Sequence, residues 1–412
     1  MLVGLDLLKR GRSSPTRRRL QEGRIALLSH AAALDEEGRA SWDALRDMGI
    51  APEILFSPEH GYDLVFQAEE AVVNSMPQND PHEEQEQERV TRGISLYGTD
   101  KASLSPQPSD LEGLDALVID LADVGSRYYT YVWTALLAAR AAAEADVHVV
   151  VLDRPNPLAG DPRMLEGRPQ EEAFCSFVGW QPVPARHCMT IAEILTSMFN
   201  QEDRALGPEG CLSVVPTRGW ERHRTAQAWG RPFVPTSPNM PSLQTALVYP
   251  GACLLEGTNL SEGRGTTTPF SLLGAPFLDG VALAKAVGNI PGAWTRPTSF
   301  RPSFSKHSGE VCSGMMIHVE NEALFRPLDC YLRIIHAARQ QAPEQFEFLD
   351  RPYEFETEHP AFDLLTGSSQ TRTSLLEGAS ADDIVESLCP VDEEWTLRVE
   401  AAEELVQEVS VS

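Results

Sequence analysis

The chain reads as an α/β protein, a Rossmann-like parallel-sheet lobe followed by a second α/β lobe. Three observations predict this. Short, continuously apolar runs alternate with helical patterns through the first 160 residues, as strands buried on both faces of a parallel sheet do. After residue 160 the texture changes, and the apolar pieces become shorter among clusters of Pro, Gly and polar residues. The length, 412 residues, exceeds what one compact core usually holds. Two lobes are therefore expected, 1–160 and 161–412, with a ligand cleft between them.

The elements follow in order. RIALLS (24–29) is a short buried strand, and 37–48 a helix with Trp42, Leu45 and Met48 at helical spacing. PEILFS (52–57), GISLY (93–97), DALVIDL (115–121) and VHVVVL (147–152) are further strands, and the Ala-rich stretch 129–145 is a helix. The segment 81–88, with its four glutamates, reads as an exposed loop or helix start. In the second half, 190–200 is an amphipathic helix with Thr190 as N-cap and Glu193 completing a capping box. Segments 211–215 and 315–319 are strands, 328–338 and 392–408 helices, and 246–249 and 252–255 short apolar pieces.

Composition removes several classes of function. A net charge of −26 argues against nucleic acid and anionic lipid as partners, since both need clustered Lys and Arg. Seven scattered cysteines without a C-x-x-C pair suit a reduced compartment better than a disulfide framework or a zinc site. No apolar stretch follows the basic residues of the first twenty, so no secretory signal is visible and a cytoplasmic location is expected. No G-x-G-x-x-G follows the first strand and no G-x-x-x-x-G-K-[ST] occurs, which disfavours dinucleotide and nucleotide chemistry. No G-x-S-x-G elbow and no H-E-x-x-H supports an esterase or a zinc amidase.

Ligands of open parallel sheets bind beyond the carboxyl ends of the strands. Three predicted strands run directly into polar clusters: Glu59 and His60; Asp123, Arg127 and Tyr129; Asp153, Arg154 and Asn156. Two further clusters follow, Asn239 in a Pro-rich turn and Asn259, Glu262 and Arg264 in a Gly-rich stretch that allows close approach to a ligand. Each residue has an ordinary structural explanation: a carboxylate at a helix N-terminus, a hydrogen-bonded histidine, a turn aspartate, an ion pair, a packed tyrosine. Taken alone, these patterns reach a hydrolase or a sugar binder.

The same clusters carry a resemblance. SPEHG (57–61), DLADVGSRYYTY (120–131), LDRPNPLAG (152–160), RHCMTIAE (186–193), SPNMPSLQTALVYPG (237–251), LLEGTNLSEGRGTTTPF (254–270), FSKHSGEVCSG (304–314) and FDLLTGSSQTR (362–372) occur in order along nearly the whole chain. By them the sequence resembles the NamZ family of exo-β-N-acetylmuramidases. The resemblance implies release of N-acetylmuramic acid from the non-reducing end of peptidoglycan fragments, in a cleft between two lobes, with no metal, nucleotide or other cofactor. After SPEHG the chain has YDLVF (62–66) where the family usually continues with a Gly-rich turn.

Glycoside hydrolysis generally uses two carboxyl groups, one protonating the leaving oxygen and one acting at the anomeric carbon. Glu59, supported by His60, is the first choice for the acid/base, and Glu262 for the second carboxylate, with Asp123 in reserve. The substrate's own acetamido group is an alternative second participant. The lactyl carboxylate of muramic acid calls for an arginine, taken in the order Arg264, Arg154, Arg127. Asn239 and Asn259 suit acetamido or hydroxyl groups. The rival reading is a non-catalytic muropeptide-binding protein of the same fold.

Overall fold

The computed structural model describes residues 1–72, 92–390 and 392–411. The acidic segment 81–88 lies outside the described residues. Six strands form one sheet: β1 (Ile25–Ser29), β2 (Ile54–Ser57), β3 (Arg92–Ser95), β4 (Ala116–Asp120), β5 (His148–Leu152) and β6 (Leu212–Val215). All pairs are parallel and the order is β3-β2-β1-β4-β5-β6, the doubly wound order with its switch point between β1 and β4.

The alternation of side chains explains why the strands are apolar throughout. Ala26 and Leu28, Leu117 and Ile119, and Val149 and Val151 enter one core. Their neighbours Ile25 and Leu27, Ala116 and Val118, and Val150 and Leu152 enter another on the opposite face. Period-two alternation thus loads both faces, which only a covered parallel sheet requires. The second core is closed by Leu5, Leu8 and Leu20 of two N-terminal helices (Gly4–Arg10, Pro15–Glu22) and by Trp42 and Leu45. The first is closed by helices Tyr131–Glu144 and Ile191–Gln201, and continues without a break into the second lobe.

That lobe holds a three-stranded antiparallel sheet, β7 (Leu272–Ala275), β8 (Ala293–Phe300) and β9 (Cys312–Val319), in the order β7-β9-β8. Helix Leu243–Ala252 packs on helix Pro327–Gln341 so closely that a Cβ on Gly251 would lie 2.0 Å from the Pro327 carbonyl oxygen. Among the described residues no helix is long and apolar enough to cross a membrane.

The expected strands and the helices of 129–145, 190–200, 328–338 and 392–408 are present with shifted ends. The Thr190 capping box forms in full, with Glu193 N to Thr190 Oγ1 at 3.1 Å and Thr190 N to Glu193 Oε2 at 2.9 Å. The helix expected from residue 37 starts only at Ser41. Asp35 Oδ1 accepts from the amides of Glu37 and Arg39, both at 2.9 Å, and Gly38 takes a φ of 84°, which holds this stretch in a turn. The two short apolar pieces at 246–255 belong to one helix with Pro250 inside it and the 3₁₀ turn that follows. Strands β7 and β8 were not expected. β8 lies at a sheet edge, carries Pro297 and buries little, so no apolar pattern marks it.

Candidate active site

Glu59 leaves the carboxyl end of β2 through a tight turn. His60 and Gly61 both have positive φ, 71° and 76°. A left-handed histidine is strained, and here it is pinned by its Nδ1 at 2.8 Å from the Phe66 carbonyl. Burial lowers the His60 pKa, partly offset by the charge of Glu59. The Glu59 carboxylate is buried, and Oε2 accepts from Thr130 Oγ1 at 2.7 Å. Thr130 caps helix Tyr131–Glu144, so the positive end of that helix dipole faces the carboxylate.

Two tyrosines fix the neighbouring loop. Tyr129 donates to Thr236 Oγ1 and Tyr131 to the Thr236 carbonyl, each at 2.7 Å. Asn239, in the same loop, donates to Gln67 Oε1 at 2.8 Å. Glu59, His60, Tyr129 and Asn239 thereby line one pocket from the first lobe, which β6 extends beyond the expected boundary at residue 160. From the second come Glu256, Arg264, Tyr353 and Glu354. The free space among these groups is narrow, about 30 Å³, and it adjoins a mouth of about 230 Å³ lined by Glu69, Glu262, Lys306 and Arg351.

Arg264 organises the second wall. It donates to Glu256 Oε1 at 2.7 Å, lies 3.3 Å from Glu262 Oε1 and sits over the Phe270 ring at 5.2 Å. Burial works against its charge, but Glu256 and Glu262 outweigh it and the pKa rises. Gly263, at φ 78°, lets this loop approach Leu272, whose carbonyl oxygen would lie 2.7 Å from an added Cβ. Burial pushes the Glu262 pKa up, yet Lys306, 2.8 Å away, and Arg264 pull it below the usual range. Glu262 is thus held ionised between two cations. Glu354 stands in the opposite condition. Its Oε2 accepts from Tyr97 Oη at 2.9 Å, and burial followed by the charge of Glu59 raises its pKa well above the carboxylate range.

The other sequence candidates sit elsewhere. Asp123 and Arg154 line a separate cavity of about 350 Å³ over the ends of β1, β4 and β5, with Trp229 and Phe233. Thr236, held by the two tyrosines, touches it as well. Burial raises the Asp123 pKa to about 7. Arg154 pairs bidentately with Asp120 at 2.5 and 2.9 Å. Arg127 points into the interior, where its guanidinium donates to the carbonyls of Leu365 (2.5 Å), Val183 (2.9 Å) and Arg168 (3.3 Å). Asp153 is buried beside the start of helix Ile191–Gln201, and burial together with Glu193 raises its pKa to about 8. Asn156 bridges the Leu158 amide and the Met189 carbonyl. Asn259 bridges the Gln345 carbonyl and the Glu347 amide. Another cavity, about 970 Å³, lies beside the edge strand β6 and is lined by none of these candidates.

Thr130, Glu256, Lys306, Arg351 and Glu354 escaped the sequence reading. Glu256 lies within the recognised Gly-rich stretch but was not singled out there. Glu354, in RPYEFE, carries no pattern that separates it from a surface turn.

Comparison with known proteins agrees with this architecture. Family models described as exo-β-N-acetylmuramidase NamZ match twice, the N-terminal part over residues 25–244 and the C-terminal part over 247–402. The peptidoglycan β-N-acetylmuramidase NamZ of Bacillus subtilis (strain 168) is 37% identical over 374 residues, 90% of this chain and 84% of that protein. Two crystal structures of DUF1343 family proteins from Bacteroides fragilis NCTC 9343 share the fold. BF0371 has a TM-score of 0.78 at 25% identity, and BF0379 a TM-score of 0.64 at 23%. Both alignments cover 99% of this chain and 98% of the other. On the two family matches and the curated relative, this chain belongs to the NamZ exo-β-N-acetylmuramidase family.

Proposed function

We propose that this protein is an exo-acting β-N-acetylmuramidase, a glycoside hydrolase that removes N-acetylmuramic acid from the non-reducing end of peptidoglycan fragments. One observation carries the reading beyond family membership: Glu59 projects from the end of β2 into a narrow pocket that carboxyl groups and an arginine of the second lobe complete. The narrow space has room for little more than a water, and the wider mouth that adjoins it is where a terminal sugar would sit, with its reacting end toward Glu59. Glu59 is the carboxyl group we assign to the reacting centre, with His60 and Thr130 positioning it.

The lactyl carboxylate of the substrate needs a cation. Of the three arginines considered, Arg264 faces the pocket and is already shared by Glu256 and Glu262. Arg351, exposed at the mouth beside Glu69, supplements it. All seven cysteines are free thiols, which suits a reducing compartment, and we place the reaction in recycling of cell-wall fragments inside the cell.

The test is release of para-nitrophenol from its β-N-acetylmuramide by wild type and Glu59→Gln. Turnover by wild type alone, with both proteins folded, is the expected result. Binding of muramyl saccharides without any turnover would establish the non-catalytic reading instead. Equal rates on muramyl and glucosaminyl glycosides would remove the role given to the arginines.

A further inference from the structure

The turn that presents Glu354 is unusual. Tyr353 and Glu356 exchange two backbone hydrogen bonds of 2.9 Å, and the two residues between them, Glu354 and Phe355, have φ of 48° and 65°. Positive φ at both central positions is the habit of Gly, Asn and Asp. Such positions cost on the order of 1–3 kcal/mol each in a non-glycine residue and persist only where the surroundings enforce them. The surroundings here do so. Tyr353 Oη donates to Glu256 Oε2 at 2.7 Å, and Phe355 meets Tyr97 and Phe177 edge-on at 5.3 and 6.1 Å between ring centres. The consequence is a buried carboxyl group aimed into the pocket that holds Glu59, from the other lobe.

We propose that Glu354 is the second catalytic carboxyl of this pocket, the group that gives its proton to the glycosidic oxygen while Glu59 acts at the anomeric carbon. The proposal rests on the muramidase reading and assigns the acid within it. As the bond between C1 and the glycosidic oxygen breaks, its electron pair stays with that oxygen and the Glu354 proton joins it. A water oxygen bonds to C1, and the proton it loses goes to Glu59. The two carboxyl groups exchange protonation states, and solvent resets them.

The electrostatics agree with the geometry. Around Glu354 stand Glu59 and Glu69 from the segment after β2, Tyr97 after β3, and Glu256 and Tyr353 from the second lobe. Burial and then Glu59, Glu69 and Glu256 disfavour its charge, and the Tyr97 hydrogen bond opposes them. The cation of this pocket, Arg264, is engaged by Glu256 and Glu262. Two carboxyl groups in one site, one pushed upward, is the arrangement that separates an acid from its partner.

The experiment compares wild type, Glu59→Gln, Glu354→Gln and Tyr97→Phe on two substrates: a muramyl-glucosamine disaccharide and a 2,4-dinitrophenyl β-N-acetylmuramide. The dinitrophenolate leaves without protonation, whereas the sugar does not. Glu354→Gln is expected to lose about 10²–10⁴-fold on the disaccharide and far less on the activated glycoside, while Glu59→Gln loses activity on both. In Tyr97→Phe the ionised form of Glu354 loses a donor, so the alkaline limb of kcat/KM against pH moves upward. Equal loss by Glu354→Gln on both substrates, or none on the disaccharide, overturns the assignment. If Glu354→Gln does not fold, an unmoved alkaline limb in Tyr97→Phe overturns it. Wild type inactive on both substrates removes the muramidase reading itself, which is a separate result.

Discussion

Thr130 Oγ1 lies 2.7 Å from Oε2 of Glu59, and this contact joins the cap of one helix to the carboxyl end of a neighbouring strand. The cap residue usually spends its hydroxyl on its own helix. Here no such side-chain cap bond forms, and the hydroxyl serves Glu59. Thr130→Val keeps the shape and removes the donor. Hydrogen bonds to charged groups contribute about 1.5–3 kcal/mol. We expect kcat/KM on the para-nitrophenyl muramide to fall by about tenfold or more, and Thr130→Ser to restore most of it. A Thr130→Val enzyme with unchanged kcat/KM would show that the contact is structural only.

Arg351 offers a test of substrate choice. Its guanidinium is exposed at the mouth, where solvent screens it, so a modest effect is expected. Arg351→Ala should raise KM for muramyl substrates by roughly three- to tenfold, about 0.6–1.4 kcal/mol. The KM of any weakly accepted glucosaminide should stay unchanged. Steady-state kinetics on the two glycosides, side by side, decide it.

Arg127 is expected to act on stability rather than on substrate. Its guanidinium satisfies the carbonyls of Val183, Leu365 and Arg168, and burial lowers its pKa. Lysine cannot reproduce three divergent donors in a plane. Arg127→Lys should cost about 2–4 kcal/mol in denaturant unfolding, from buried carbonyls left unpaired. The ratio of rates on muramyl and glucosaminyl glycosides should not move.

Asp153 predicts a pH dependence of folding. Its pKa is raised to about 8 in the folded chain by burial and by Glu193, from an ordinary value of 3.8. The folded state therefore binds a proton more tightly than the unfolded state does. The stabilisation from that proton is complete below about pH 4 and is lost as pH rises through about 8. Asp153→Asn keeps the side-chain shape without the ionisation. Its Tm should exceed that of wild type at pH 9 by more than at pH 5. An equal Tm difference at both pH values would mean that Asp153 does not titrate in this way.

Much of the first lobe was legible because burial on both faces writes itself into sequence. A strand such as β4 has no polar position to spare, and the run ALVID announces it. The rule that ligands sit beyond strand ends points from sequence alone to Glu59 and His60. It points equally to Asp123, Asp153 and Arg154, because three strands end in polar residues and one-dimensional order does not say which ends face the second lobe. Arg127 and Arg264 illustrate the same limit. Both precede or follow small and aromatic residues in polar clusters, yet one is caged by backbone carbonyls and the other meets two carboxylates.

By itself the sequence determined the α/β class, most of the parallel strands, the Thr190 cap and the family to which the chain is similar, because each rests on local pattern: alternation, capping chemistry and ordered motifs. The tertiary structure alone decided that Glu354 shares a pocket with Glu59 and that Glu262 is held ionised by Lys306 and Arg264. The reason is physical. A carboxyl group's protonation depends on which charges and how much water surround it, and those neighbours come from segments far apart in the chain that meet only when the two lobes pack.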